Sequence, residues 1–245
     1  MLPLLTSSLG ETCVRFDHAY GGERCHDAMI PGGTVPPLAA SSLPLLLDLH
    51  RFRDTKEDQK HDSGWQITAE QRRFGVVWPS AAGSWRGVMN WNAGPYNVGV
   101  PPFRGWPDDV GYPTRLIAYL IDQHPQLDPG RVYVSGAGTG CSMAQRLALE
   151  SSDLVAAVAC MSGFLEVQPA SSSGSFFGSL WDSGPSYQAV PMLLFHGQRD
   201  DKMSYTSYQP GPGYVYSASS NLMEWARLNG CRGAYQEGSP ETGVI

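Results

Sequence analysis

Residues 131–144 read Arg131-Val-Tyr-Val-Ser-Gly-Ala-Gly-Thr-Gly-Cys-Ser-Met-Ala144: an apolar strand, a glycine turn, then the start of a helix. A strand–turn–helix with the pattern G-x-S-x-G lifts a serine hydroxyl to the tip of a sharp turn, where it can attack an acyl carbon. Here the turn is Gly136-Ala-Gly-Thr-Gly140, and its central residue, Gly138, has no side chain. The frame is that of nucleophilic acyl transfer, with the nucleophile position vacant. Gly140-Cys-Ser-Met-Ala144 matches the looser pattern G-x-S-x-[AG] around Ser142. That serine falls a helical turn later, so its hydroxyl is expected inside the helix rather than at the tip. Cys141 is expected as a small buried hydrophobe rather than a reactive thiolate.

The same glycines stand where a nucleotide loop would, after a strand and opening a helix. Their spacing is not G-x-G-x-x-G, because position 141 is cysteine, and the next strand ends in Cys160-Met-Ser162 without an acid for a ribose. Dinucleotide binding is therefore disfavoured. His18 and His26 beside Asp17 and Asp27 are read as solvated surface rather than a metal site, and neither a metal nor a cofactor is expected. Trp78, Trp85, Trp91 and Trp106 either line an aromatic acyl pocket or pack a long loop down.

The elements around the turn alternate strand and helix, which implies a mostly parallel sheet covered on both faces. Strands are expected at Arg24–Ile30, Leu45–Leu49, Phe74–Trp78, Val132–Ser135, Val155–Met161 and Met192–Phe195. Helices are expected at Ser63–Arg73, around the stripe Leu116, Ile117, Leu120 and Ile121, at Cys141–Glu150 and near Ser217–Leu228. Arg53–Asp62 is polar and reads as loop, residues 80–107 as a long Gly/Pro/Trp/Asn loop, and residues 162–190 as a Ser/Gly-rich excursion.

A chain of 245 residues, 42% hydrophobic, can bury one full α/β core, so a single domain is expected. The net charge of -6 disfavours a partner with a phosphate backbone. No apolar run approaches the ~20 residues a bilayer span needs, and Met1-Leu-Pro-Leu-Leu5 makes a poor export signal. The five cysteines, Cys13, Cys25, Cys141, Cys160 and Cys231, contain no C-x-x-C pair, and their pairing is open.

Several blocks in order resemble the secreted α/β-hydrolase esterases of the polyhydroxybutyrate depolymerase, feruloyl esterase and acetylxylan esterase group. They are Pro44-Leu-Leu-Leu-Asp-Leu-His50, Ser63-Gly-Trp65 with Phe74-Gly-Val-Val-Trp-Pro79, Asn90-Trp-Asn-Ala-Gly94 and Asp108-Asp-Val-Gly-Tyr112. The glycine turn, Pro191-Met-Leu-Leu-Phe-His-Gly-Gln-Arg-Asp200 and Asn221-Leu-Met-Glu-Trp-Ala-Arg-Leu-Asn-Gly-Cys231 complete the series.

The resemblance implies an α/β-hydrolase fold, export from the cell, and a Ser–His–Asp triad acting on small or polymeric esters. It places Gly138 on the nucleophile and Asp200 on the triad acid. Thr139 falls on one oxyanion N–H, and Arg51 or Phe52 on the other. Three departures accompany it. Gly138 replaces the serine. None of the six histidines (His18, His26, His50, His61, His124, His196) follows Asp200, where the base belongs. Arg51 replaces the glycine expected after His50, which is acceptable only if its backbone needs no positive φ. The last strand is expected to be missing, a C-terminal truncation, and the chain is expected to be inactive as a triad esterase or to serve as a binding protein.

Overall fold

A computed structural model describes residues 6–16, 22–32, 43–82, 88–94, 107–166, 187–211 and 214–232. The sheet has seven strands: β1 (Thr6–Arg15), β2 (Glu23–Pro31), β3 (Leu43–Leu49), β4 (Gly75–Pro79), β5 (Leu127–Ala137), β6 (Ala157–Met161) and β7 (Met192–Phe195). Their order is β1-β2-β4-β3-β5-β6-β7. β1 and β2 are antiparallel to their neighbours, and every pairing from β4 through β7 is parallel. A small hairpin, β8 (Tyr208–Gly211) with β9 (Tyr214–Tyr216), stands apart.

Among the described residues there are five helices: α1 (Lys56–Ser63), α2 (Trp65–Arg72), α3 (Gly111–Gln123), α4 (Thr139–Glu150) and α5 (Ala218–Leu228). The alternation of side chains along a strand sorts them into two layers. Leu45, Leu47, Val132, Val134 and Val158 pack with Leu116 and Ile117 of α3, Met143 and Leu147 of α4, and Trp225 of α5. On the opposite face, Met29, Leu46, Val76 and Trp78 pack with Ala69 and Trp65 of α2. Asp48, buried on this second face, accepts from Gln59 of α1 (2.9 Å), Trp78 (3.1 Å) and Ser135 (2.7 Å). One carboxylate thus ties a helix to three adjacent strands, although burial pushes its pKa up.

All six expected strands form, and β5 starts earlier than expected. Arg53–Asp62 is not loop: α1 occupies most of it. The signal was local, since Thr55 caps the helix and Asp58 reaches back to the Thr55 N–H, a capping box that a hydrophobic pattern cannot reveal. Gly64, at φ 65°, then breaks α1 from α2. Strand β1 was also missed, because its sequence Thr-Ser-Ser-Leu-Gly-Glu-Thr-Cys-Val-Arg carries no sustained apolar alternation. Two disulfides settle the cysteines. Cys13–Cys25 staples β1 to β2, Cys141–Cys160 staples α4 to β6, and Cys231 is free and exposed.

Candidate active site

The glycine turn joins β5 to α4 at the C-terminal edge of the parallel strands. Gly138 stands at φ 53°, ψ -122°, a backbone state that residues with side chains rarely adopt. Its N–H donates to Met161 O (2.9 Å), and its carbonyl accepts from Ser142 N (3.1 Å). The surrounding glycines are dictated by space. A methyl group on Gly140 would lie 2.1 Å from Leu49 O, and one on Gly136 would lie 2.6 Å from the Gly140 carbonyl carbon. One on Gly163 would meet Cys141 at 2.5 Å and Gly138 O at 2.6 Å. Position 138 differs. A Cβ there would touch only the Arg51 stem, at 3.4 Å from Cγ, which is ordinary contact. The turn therefore has room for a side chain exactly where the sequence supplies none, and glycine holds the conformation at no steric cost.

Thr139 opens α4, whose first N–H groups have no partners within the helix and carry the positive end of its dipole. The Thr139 hydroxyl is itself buried, with no partner among the described residues. Facing the turn is the end of β3. His50 is fully buried, and Ala81 N donates to its Nε2 (3.0 Å), so the proton sits on Nδ1 and is donated to Arg51 O (2.8 Å). Burial lowers its pKa, and with both nitrogens engaged it is a structural pin. Trp91 donates to its carbonyl (3.0 Å).

Arg51 is not at positive φ. Arg53 takes that conformation instead, at φ 69°. The Arg51 guanidinium bridges Asp54 (2.6 Å) and Asp62 (2.7 Å), while Phe52 is largely exposed.

Asp200 follows β7. Its Oδ1 accepts from the backbone N–H groups of Lys202 (2.9 Å) and Met203 (2.8 Å). Burial opposes its charge, but these two donors, the Ser162 hydroxyl and nearby His196 hold the carboxyl below its ordinary pKa. Ser162 follows Met161, the residue that holds Gly138, so Asp200 and the turn are linked through the end of β6. His196 Nε2 lies 3.9 Å from Asp200 Oδ2 and is bonded instead to Met203 O at 2.5 Å, with its ring against Phe164 and Tyr205. It is engaged within its own turn.

Ser142 is fully buried. It donates to Glu166 (3.3 Å) and accepts from Phe164 N (3.3 Å), so its hydroxyl cannot reach a substrate. His26 and Asp27 are buried, not solvated. Burial lowers the His26 pKa to about 4, and Asp27 pairs with Lys56 and Lys60. Among the described residues the carboxylates Glu11, Asp27 and Glu57 come close enough to share a cation, and the Lys56 ammonium already sits among them. Asp17, His18, Trp85 and Trp106 lie outside the described residues. Trp78 and Trp91 are fully buried, so they pack the core and line no surface pocket.

Two buried features escaped sequence reasoning. Arg24 pairs with Asp109 (2.9 Å), stacks on Tyr112 and reaches Ser80 O, while Asp109 accepts from Asn92 N (2.7 Å). This cluster pins the Asn90-Trp-Asn92 loop to β2 and α3, so the Asp108-Asp-Val-Gly-Tyr block is structural. Glu166, fully buried, offers Oε1 to Ser142, and its Oε2 has no partner among the described residues. No sequence signal marked it, because it lies in a Ser/Gly-rich stretch.

A parallel sheet in this order, with the glycine turn after β5 and an acid after β7, decides the architecture. The fold is the α/β-hydrolase fold. It is similar to an acetyl xylan esterase from Aspergillus awamori (TM-score 0.64, 18% identity, 90% of this chain and 80% of that one). It is also similar to a ferulic acid esterase from Anaeromyces mucronatus (TM-score 0.55, 14% identity, 92% of this chain and 80% of that one). By sequence it is 26% identical over 219 residues to feruloyl esterase B of Piromyces equi, covering 86% of this chain and 36% of that protein. It is 24% identical over 174 residues to a bifunctional acetylxylan esterase/xylanase of Neocallimastix patriciarum, covering 70% of this chain and 21% of that protein. The chain spans well under half the length of these curated relatives. No protein-family model matches it. Its homologues are carboxylic ester hydrolases, and no helix among the described residues is long and apolar enough to cross a membrane.

Proposed function

We propose that this α/β-hydrolase chain retains the acyl-transfer frame of a feruloyl, acetylxylan or polyhydroxyalkanoate esterase but does not run triad catalysis. One observation carries this: Gly138 holds the strained conformation of an acyl-transfer nucleophile, with room for a side chain and none present. In this assignment Gly138 is the vacant nucleophile and Asp200 the orphaned triad acid. The N–H of Thr139 and that of Arg51 or Phe52 form the oxyanion site. Without the nucleophile there is no acyl-enzyme. Loss of a triad serine or histidine lowers turnover about a million-fold in a well-studied protease.

The ligands are small or polymeric esters and their acids, bound without a cofactor, a nucleic acid or a membrane. The two disulfides fit an oxidising, extracellular setting. The open position above Gly138 favours a second role for the chain as it stands, namely binding an acyl or aryl ester without cleaving it.

The test uses methyl ferulate, p-nitrophenyl acetate and a fluorophosphonate probe on the folded chain. No labelling and no turnover above the Ser142→Ala variant are expected. Stoichiometric labelling would overturn the assignment, and its loss in Ser142→Ala would move the nucleophile there.

A further inference from the structure

Arg51, the residue after His50, bounds the space over Gly138. Beyond the chain neighbours, the three heavy atoms nearest to a methyl group built on Gly138 are all Arg51 methylene carbons: Cγ at 3.4 Å, Cβ at 3.6 Å and Cδ at 4.0 Å. An acyl carbon poised for attack comes within about 3–3.5 Å of its nucleophile. The Arg51 arm is therefore the first group that a ligand carbonyl lying over Gly138 must displace.

Both ends of the arm are fixed. At its base, Arg51 O accepts from His50 Nδ1 (2.8 Å) and from Asp54 N (3.2 Å), and His50 is in turn held by Ala81 N (3.0 Å). At its head, Nε donates to Asp54 (2.6 Å) and Nη2 to Asp62 of α1 (2.7 Å). Gln59 of the same helix donates to Asp48 of β3 (2.9 Å), so the helix that anchors the head is tied to the strand that carries the base. Between these anchors the stem passes the turn that joins β5 to α4. The head lies at the surface: the Arg51 and Asp62 side chains are 45% and 47% exposed, and Asp54 is 25% exposed. Each exposed ion pair biases an equilibrium by about fivefold or less. Two of them favour the closed arm by at most about 25-fold, a bias that a ligand's own contacts can overcome.

We propose that Arg51 is a latch on the candidate site: its stem closes the space over Gly138, and its ion pairs with Asp54 and Asp62 set the fraction of molecules in which that space is open to a ligand. The arm opens by swinging its guanidinium off the two carboxylates into solvent. The backbone stays in place, because the Arg51 carbonyl keeps both of its bonds. Apparent affinity is the intrinsic affinity scaled by the open fraction, so weakening the ion pairs tightens binding. Salt acts in the same direction by screening them. The ligand's being an ester rests on the reading of Gly138 given above, whereas the closing of the arm can be read without any ester.

The full chain tests this in three ways. In the unsubstituted protein, nuclear Overhauser effects should join the Gly138 α-protons to the Arg51 β- and γ-protons, and should fade in the double variant Asp54→Asn, Asp62→Asn. In a Cys231→Ala background, Gly138→Cys should react with benzyl methanethiosulfonate, per thiolate, about 5–25-fold more slowly than the same thiol with Arg51→Ala added. By calorimetry, methyl ferulate should bind the double variant about 5–25-fold more tightly than the unsubstituted chain. Absence of the Overhauser contact in the folded, unsubstituted chain would overturn the latch, whatever the variants do. Equal thiolate rates with and without Arg51 would overturn it too, as would methyl ferulate binding equally to the unsubstituted chain and the double variant. If the Overhauser and thiolate results hold and methyl ferulate binds none of these proteins, the latch stands and the ester reading falls.

Discussion

Glu166 makes stability depend on pH in a way that can be calculated. Its carboxyl is fully buried, and burial pushes its pKa from 4.5 up to about 8, with only the Ser142 hydroxyl opposing. In the unfolded chain the group returns to its ordinary value. Because the folded state holds the proton more tightly, its contribution is fully present below pH 4.5. That contribution is lost as pH rises toward 8, at about 1.4 kcal/mol per unit. Over that window the loss sums to about 5 kcal/mol, comparable with the whole stability of many domains. Glu166→Gln keeps the shape and removes the titration. Urea unfolding of both proteins at pH 5, 6, 7, 8 and 9 isolates the effect, because every other titrating group cancels in the difference. The wild type should lose stability relative to Glu166→Gln steadily up to pH 8 and level off above it. Parallel stability curves would refute the argument, and would mean that the buried carboxyl finds a charge partner or water.

Three further substitutions probe the frame. Gly138→Ser should fold, since its Cβ meets only Arg51 Cγ at 3.4 Å, but the positive φ should cost about 1–3 kcal/mol, read as a Tm lower by a few degrees. It should gain no fluorophosphonate labelling, because His196, the histidine beside Asp200, is bonded to Met203 O. Gly140→Ala should cost more than about 3 kcal/mol or prevent folding, since its methyl would lie 2.1 Å from the Leu49 carbonyl, and soluble yield with circular dichroism reads this directly. Asp109→Ala removes the carboxylate that pairs with the buried Arg24 guanidinium and accepts from Asn92 N, so chemical denaturation should show a loss of about 3–5 kcal/mol.

The sequence by itself determined the frame. Apolar runs such as Leu45–Leu49 and Met192–Phe195 read as strands, and Gly136-Ala-Gly-Thr-Gly140 between a strand and a helix reads as a tight turn. The missing side chain at position 138 is also a fact of the sequence. What it could not show depends on which residues meet in space. The capping box of α1 and the unpatterned β1 lie outside hydrophobic periodicity. The Cys141–Cys160 bridge and the Arg24–Asp109 pair join residues 19 and 85 positions apart. Trp78 and Trp91 look alike in sequence to pocket-lining aromatics, and only packing put both at zero exposure. Position 138 carries the clearest division. Composition says that it is glycine, but only the tertiary contacts show that its neighbours must be glycine for want of space while it alone has room to be something else.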